Sequence, residues 1–261
     1  MTFQPRQLLL HIPHSSINLP ETYKELFFLN EEQIQAELLT MTDLYVDDLF
    51  SVPEIPAENK IVFSYSRLIC DVERFKDDTK EIMAKRGMGV CYSVTHDLKP
   101  LKNVTPEHRA QMQVLYDHHH AVLTDTIDRI IEAYGEALLI DCHSYSSQPL
   151  PYEMTDDSDV PKSRPDICLG TDPSFHTPVW LRDFITCRFE ELGYSVVENE
   201  PFSGTIVPMK HYHSDRRALS VMIEVKRGLY MDEENGLRKE TFGALKADIT
   251  TVLSKLCSAI Q

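Results

Sequence analysis

No stretch of this chain approaches the run of about 18 apolar residues that a membrane-spanning helix needs. The first segment, "MTFQPRQLLLHIPHSS", holds only a short apolar burst broken by His11 and Pro13, too brief for a secretory signal core. Nothing here reads as spanning or anchoring to a membrane. Basic residues are scarce as well. There are 26 Lys and Arg against 41 Asp and Glu, a formal charge of -15, so the field repels phosphate backbones and anionic lipid surfaces. Nucleic acid is not an expected partner, although a few local arginines or a metal ion can reverse the sign inside one cleft. Paired cysteines are missing too. Cys70, Cys91, Cys142, Cys168, Cys187 and Cys257 show no CxxC spacing and read as scattered thiols, which fits a reducing, cytoplasmic location. There is no internal repeat and no low-complexity tract.

What is present is an ordinary globular composition, 42% hydrophobic and 26% charged over 261 residues, enough for one sizeable core and one domain, 1–261. Short β-rich runs recur: "QLLLHI" (7–12), "KIVFSYS" (60–66), "ALLIDC" (137–142), "ICLG" (167–170), "YSVVEN" (194–199) and "LSVMIEV" (219–225). Most are continuously apolar rather than alternating. Strands apolar on both faces belong in a sheet covered on both sides, which predicts a three-layer α/β/α domain with a mixed, mostly parallel central sheet. The clearest helix starts with Thr105 as N-cap and Pro106 at its first position and runs to about Tyr134, where Gly135 stops it. Shorter helices are expected at 31–50, 177–192 and 238–259. Residues 148–165, rich in Pro, Asp and Ser, read as a long loop over one sheet edge.

In such sheets ligands gather at the carboxyl ends of the strands, and the chemically distinctive residues fall there. His11 and His14, three apart after the first strand, can turn toward one cation, and His143 from a remote strand end supplies a third ligand, leaving a position open for water. The alternative is that the pair satisfies backbone groups in a tight turn. Asp141, two residues before His143, points to the same side and can orient an imidazole, whereas Cys142 faces the other way as packing. Glu224, a carboxylate within "LSVMIEVKR", must be paired, protonated or used. It serves either as general base and then acid, or as the partner of Lys226 or Arg227. Arg67, Asp71, Glu73 and Arg74 form a mixed cluster in which an arginine fork holds a substrate carboxylate, or else ties two loops together. In "DHHHAVL" successive side chains diverge by about 100° on a helix. Core-lining stripes through Met112, Leu115, His119, Val122 and Ile130, and through Tyr116, His120, Leu123, Ile127 and Ile131, account for these histidines. His211 and His213 read as polar loop residues, with substrate contact as the other option.

These motifs, in this order, resemble the N-formylglutamate amidohydrolases (deformylases): "PHSS" (13–16), "SRLICDVERF" (66–75), "YDHHHAVL" (116–123), "DCHS" (141–144), "LGT" (169–171), "PFSG" (201–204) and "IEVKRGLYMD" (223–232). "IDCHSYSSQ" is also similar to the "IHSYSQ" segment of zinc carboxypeptidases, whose histidine is a zinc ligand. The resemblance implies a phosphorylase/hydrolase-like fold and Zn2+, or another divalent transition metal, held by His11, His14 and His143. It also implies Glu224 as general base and Arg74, with Arg67, at the substrate carboxylate. His120, Ser203 and Gly204, within the matching motifs, join them as substrate contacts. The implied activity is metal-dependent hydrolysis of the amide bond of a small acidic N-acyl-amino acid. Its rivals are a carboxypeptidase or cell-wall peptide amidase on the same fold and a non-catalytic binding homologue. The chain departs from the family in reading "DVER" where "DLNR" is usual, "GTI" after Ser203 for Gly-Gly-Tyr, and "EVKR" for "EINR". Glu73 thus puts a negative charge where the family has an amide, which bears on the identity of the substrate more than on hydrolysis.

Overall fold

The computed structural model describes residues 3–154 and 164–258. Its strands are β1 (Leu8–Ile12), β2 (Lys60–Val62), β3 (Ala137–Tyr145), β4 (Ile167–Gly170), β5 (Val196–Glu198) and β6 (Ala218–Lys226). They form one sheet in the order β2-β1-β3-β6-β4-β5. β1, β2, β3 and β6 pair in parallel, while β4 runs antiparallel to β6 and parallel to β5. Helices α1 (Glu21–Lys24), α2 (Glu31–Met41), α3 (Val46–Leu49), α4 (Pro106–Tyr134), α5 (Val179–Glu191) and α6 (Phe242–Ser258) surround it. The expected three-layer α/β/α architecture with a mixed, mostly parallel sheet is what the chain adopts. No helix among the described residues is long and apolar enough to cross a membrane.

The continuous apolar runs are explained by the two cores. On one face Leu8, Leu10, Leu138, Ile140, Cys142, Val221 and Ile223 pack with side chains of α3, α5 and α6. On the other, Leu9, Ala137, Leu139 and Ala218 meet Leu123, Ile127, Ile130 and Ile131 of α4. Because side chains alternate along a strand, this second face continues through His11 of β1, Asp141 and His143 of β3, and Ser220, Met222 and Glu224 of β6. Register locks the series: His11 lies beside Asp141, and His143 beside Glu224. One face is thus apolar toward the amino ends of its strands and ionisable toward their carboxyl ends, where functional groups collect in this architecture.

Thr105 caps α4 by accepting from the His108 N–H at 3.4 Å, and Gly135 ends it with φ 87°. Four expectations need correction. The helix at 31–50 is two, separated where Tyr45 adopts φ 66°. β2 stops at Val62, because its ladder partner β1 ends at Ile12. β3 carries its pairing with β6 through Tyr145, so His143 sits inside the strand rather than past its exit. Val122 is 39% exposed and belongs to no core stripe. Of the expected 148–165 loop, residues 155–163 lie outside the described residues; Pro151–Glu153 form a short 3-10 turn.

Candidate active site

His14, which follows β1, is 2% exposed. Its Nε2 donates to Asp71 Oδ1 at 2.9 Å. Asp71 is a firm acceptor: burial pushes its carboxyl up, but Arg74, His14 and Arg67 outweigh this and hold it well below the usual range. The bond fixes the tautomer, so Nδ1 is left with a lone pair, and that atom is buried with no partner. It faces Glu73 Oε2 at 3.7 Å and Asp43 Oδ2 at 3.8 Å. Burial and Arg67 lower the His14 pKa to about 4, which keeps the ring neutral.

His143 closes the group. Its Nδ1 meets Asp43 Oδ2 at 3.2 Å, and its Nε2 meets Glu73 Oε1 and Asp141 Oδ1, each at 3.0 Å. Burial alone lowers its pKa, yet the Glu73 and Asp141 carboxylates raise it well above the ordinary histidine value. His14, Glu73 and His143 each offer one ligand atom, all within 4.8 Å of one another. Two imidazoles and a carboxylate are a donor set that catalytic zinc uses. The partnerless Nδ1 and the surplus of carboxylates around His143 both suit a divalent cation, so the residues fit one.

The structure does not bring His11 to that group, although sequence spacing makes it a ligand. Fully buried, it donates from Nδ1 to Asp141 Oδ1 at 2.8 Å, and its Nε2 lies 2.9 Å from His119 Nε2. It stands one register step deeper than His143 and braces Asp141, which in turn orients His143. Glu73 takes the place in the group that His11 was expected to fill.

His119 is packed edge-on against Phe63, and burial, with His11 and His120 nearby, lowers its pKa from 6.5 to about 2. The unfolded chain therefore binds the proton first. Stability from the neutral ring is fully present above pH 6.5 and is lost as pH falls below it. Going from pH 7 to pH 5, metal-free His119→Leu is expected to lose about 2 kcal/mol less unfolding free energy than the unaltered protein. Urea titrations at the two pH values check this, and parallel losses would mean that the ring is solvated.

Glu224 is 7% exposed and its Oε2 is buried without a partner. The two cations expected to pair with it are engaged elsewhere, Lys226 with Asp166 at 2.6 Å and Arg227 with Asp43 at 2.8 Å. Burial raises its carboxyl to about 7, with His143 pulling down and Asp43 pushing up. Arg67 and Arg74 share Asp71, at 2.9 and 3.5 Å, and Tyr92 donates to the same carboxylate at 2.5 Å. Arg67 Nε is buried and unpaired. Each nitrogen of Arg227 donates, to Ser144, Thr40 and Asp43 respectively. His120 donates to the Val72 carbonyl at 2.7 Å and stacks on Tyr116, steadying the segment that bears Asp71, Glu73 and Arg74.

His14, Glu73, His143, Arg67, Arg74, Glu224, His120, Ser203 and Gly204 all line one cavity of about 530 Å³. His211 and His213 do not; they pair with Asp128 and Asp172, and their loop contributes Met209 and Tyr212 instead. Sequence reasoning missed Asp43 and Tyr92. Neither has a local signal, because each is recruited only by tertiary contact.

A family model described as N-formylglutamate amidohydrolase matches residues 6–231. An N-formylglutamate deformylase from Pseudomonas putida is 27% identical over 238 residues, covering 87% of this chain and 82% of that protein. Another, from Pseudomonas aeruginosa, is 27% identical over 258 residues, covering 95% and 92%. The crystal structure of an N-formylglutamate amidohydrolase from Ralstonia eutropha JMP134 superposes with a TM-score of 0.80 at 20% identity, over 99% of this chain and 94% of that one. A gene product of Agrobacterium tumefaciens gives 0.63 at 17%, over 96% and 91%. The two structural matches speak to fold.

Proposed function

Because the chain belongs to the N-formylglutamate amidohydrolase family, we propose that it is a metal-dependent hydrolase cleaving the amide bond of an N-formyl- or N-acyl-amino acid of the N-formylglutamate type. One observation carries the proposal. His14, whose Nδ1 has no partner, and Glu224, whose Oε2 has none, line the same cavity, together with Glu73 and with His143 of β3, the strand between β1 and β6.

His14, Glu73 and His143 would hold a divalent cation such as Zn2+. A cation there supplies a Lewis acid and lowers the pKa of its water toward about 7. The remaining work belongs to the chain. Glu224, its carboxyl raised to about 7 by burial, is matched to accept a proton from the attacking water near neutrality and return it to the leaving nitrogen. Asp71 presents Arg67 and Arg74 side by side, and Arg67, which lines the cavity and has no partner at Nε, receives the substrate carboxylate. Holding that carboxylate fixes the amide relative to Glu224. Asp71 and Asp141 hold the rings of His14 and His143. Ser203 and Gly204 form a wall in which Gly204, at φ 83°, takes a left-handed conformation that glycine adopts freely.

The test is formate release from N-formyl-L-glutamate by chelator-stripped and zinc-reloaded protein, beside peptides ending in glutamate. Zinc-dependent formate release is expected, and Arg67→Met should raise KM by about tenfold or more. Preference for the peptides would make the protein a carboxypeptidase, and stoichiometric metal with no turnover of either would make it a binding protein.

A further inference from the structure

The cavity sorts its lining by charge in a way that bears on which amino acid is deacylated. Its described lysine and arginine side chains are three arginines, and His143, which also lines it, is enclosed by Asp43, Glu73 and Asp141. Arg227 is paired with Asp43 and donates from all three nitrogens, and Arg67 and Arg74 converge on the single carboxylate of Asp71, so together they make one anion site, not two. A dicarboxylic amino acid needs a second.

Beyond the arginines the wall turns apolar. Phe75 follows Arg74 directly and is 38% exposed, Ile82 is 76% exposed and Met209 61%, and all three line the cavity with Met83 and Tyr212. Single exposed apolar residues are ordinary on a protein surface. Several along one cavity beside candidate catalytic groups mark a recognition surface. The wall is built rather than incidental. Buried Glu81 accepts from the Phe75 N–H at 3.0 Å and the Met83 N–H at 2.9 Å, tying one side together. On the other side, the segment leading to Met209 and Tyr212 is anchored where the Ile206 N–H donates to Asp141 at 3.3 Å. The Phe75 and Tyr212 rings meet edge to face with centroids 6.1 Å apart, joining the two. Two acidic groups of the lining offer no welcome to an anion: Glu81 has both oxygens occupied and Glu153 is paired with Arg164. The cavity volume also falls in the range of about 300–1,000 Å³ that drug-sized ligands fill, leaving room for a bulky side chain.

We propose that the side-chain subsite is apolar, so that the substrates are N-formyl- or N-acyl-amino acids with one carboxylate and an aliphatic, thioether or aromatic side chain, in preference to glutamate. This rests on the hydrolase reading above. The experiment compares kcat/KM for N-formyl-L-leucine, N-formyl-L-methionine and N-formyl-L-phenylalanine with that for N-formyl-L-glutamate, using zinc-loaded full-length protein. At least one apolar substrate should exceed glutamate by tenfold or more. The exposed-site variant Ile82→Ser/Met209→Ser should reduce that ratio about tenfold. Ile82→Lys, which puts a second anion site on the apolar wall, should shift it toward glutamate. A glutamate preference in the unaltered protein, or a ratio indifferent to these substitutions, overturns the apolar subsite and leaves the hydrolase reading intact. If none of the four compounds is cleaved, both fall.

Discussion

Replacing Glu224 with Gln lowers kcat by about 10²- to 10⁴-fold, the range a positioned general acid–base group contributes, while metal content stays near that of the unaltered protein. The expectation follows from where the side chain sits. Oε2 is buried and unbonded, and the neighbouring cations are spoken for by Asp166 and Asp43. Burial brings the carboxyl to about 7, so near neutrality both of its protonation states are populated. Glutamine keeps the shape and loses the proton. It also relieves a buried charge, so the variant should fold at least as well as its parent. Rapid-mixing measurement of kcat, with metal quantified by atomic absorption, separates the outcomes. A variant that unfolds would show that Glu224 supports the structure rather than the reaction.

Glu73→Ala weakens zinc affinity by more than the 10- to 100-fold typical for losing a residue that only orients a ligand, whereas His11→Asn stays within about that range. Glu73 Oε2 lies 3.7 Å from the lone-pair nitrogen of His14, and its Oε1 lies 3.0 Å from His143. His11 reaches the group only through Asp141. Removing Glu73 deletes one of the three candidate ligands, while altering His11 loosens a brace. Competition against a chromophoric chelator measures both, and the reverse order would return His11 to the ligand set.

That contrast shows how far the sequence could be read. β4 was legible to the residue, because "ICLG" is an isolated apolar run between turn formers. α4 was legible because Thr105, Pro106 and Gly135 are local punctuation. The candidate site was legible as a set of strand ends and mostly as a set of residues, since His14, His143, Glu224, Arg67 and Arg74 do share one cavity. The depth of each residue along its strand was not. His11 and His143 face the same side, but the pairing of β1 with β3 sets His11 beside Asp141, one step short of the position beside Glu224. Register between strands about 130 positions apart is a tertiary fact with no local mark. Glu73 escaped for a related reason: within "DVERF" it reads as a departure next to an arginine, and only the approach of His14 and His143 gives it a different use.

His143 and Glu224 face each other across adjacent, fully hydrogen-bonded strands. Their separation is therefore dictated by main-chain geometry and not by any loop. The residues that line much of the rest of the cavity, by contrast, come from connecting segments, Phe75 to Met83 and Ser203 to Tyr212. Diversification among such proteins can accordingly rewrite what is accepted without disturbing how the bond is broken. A one-residue insertion in β3 would do the opposite, turning the histidine into the far core and silencing the chemistry for every substrate at once.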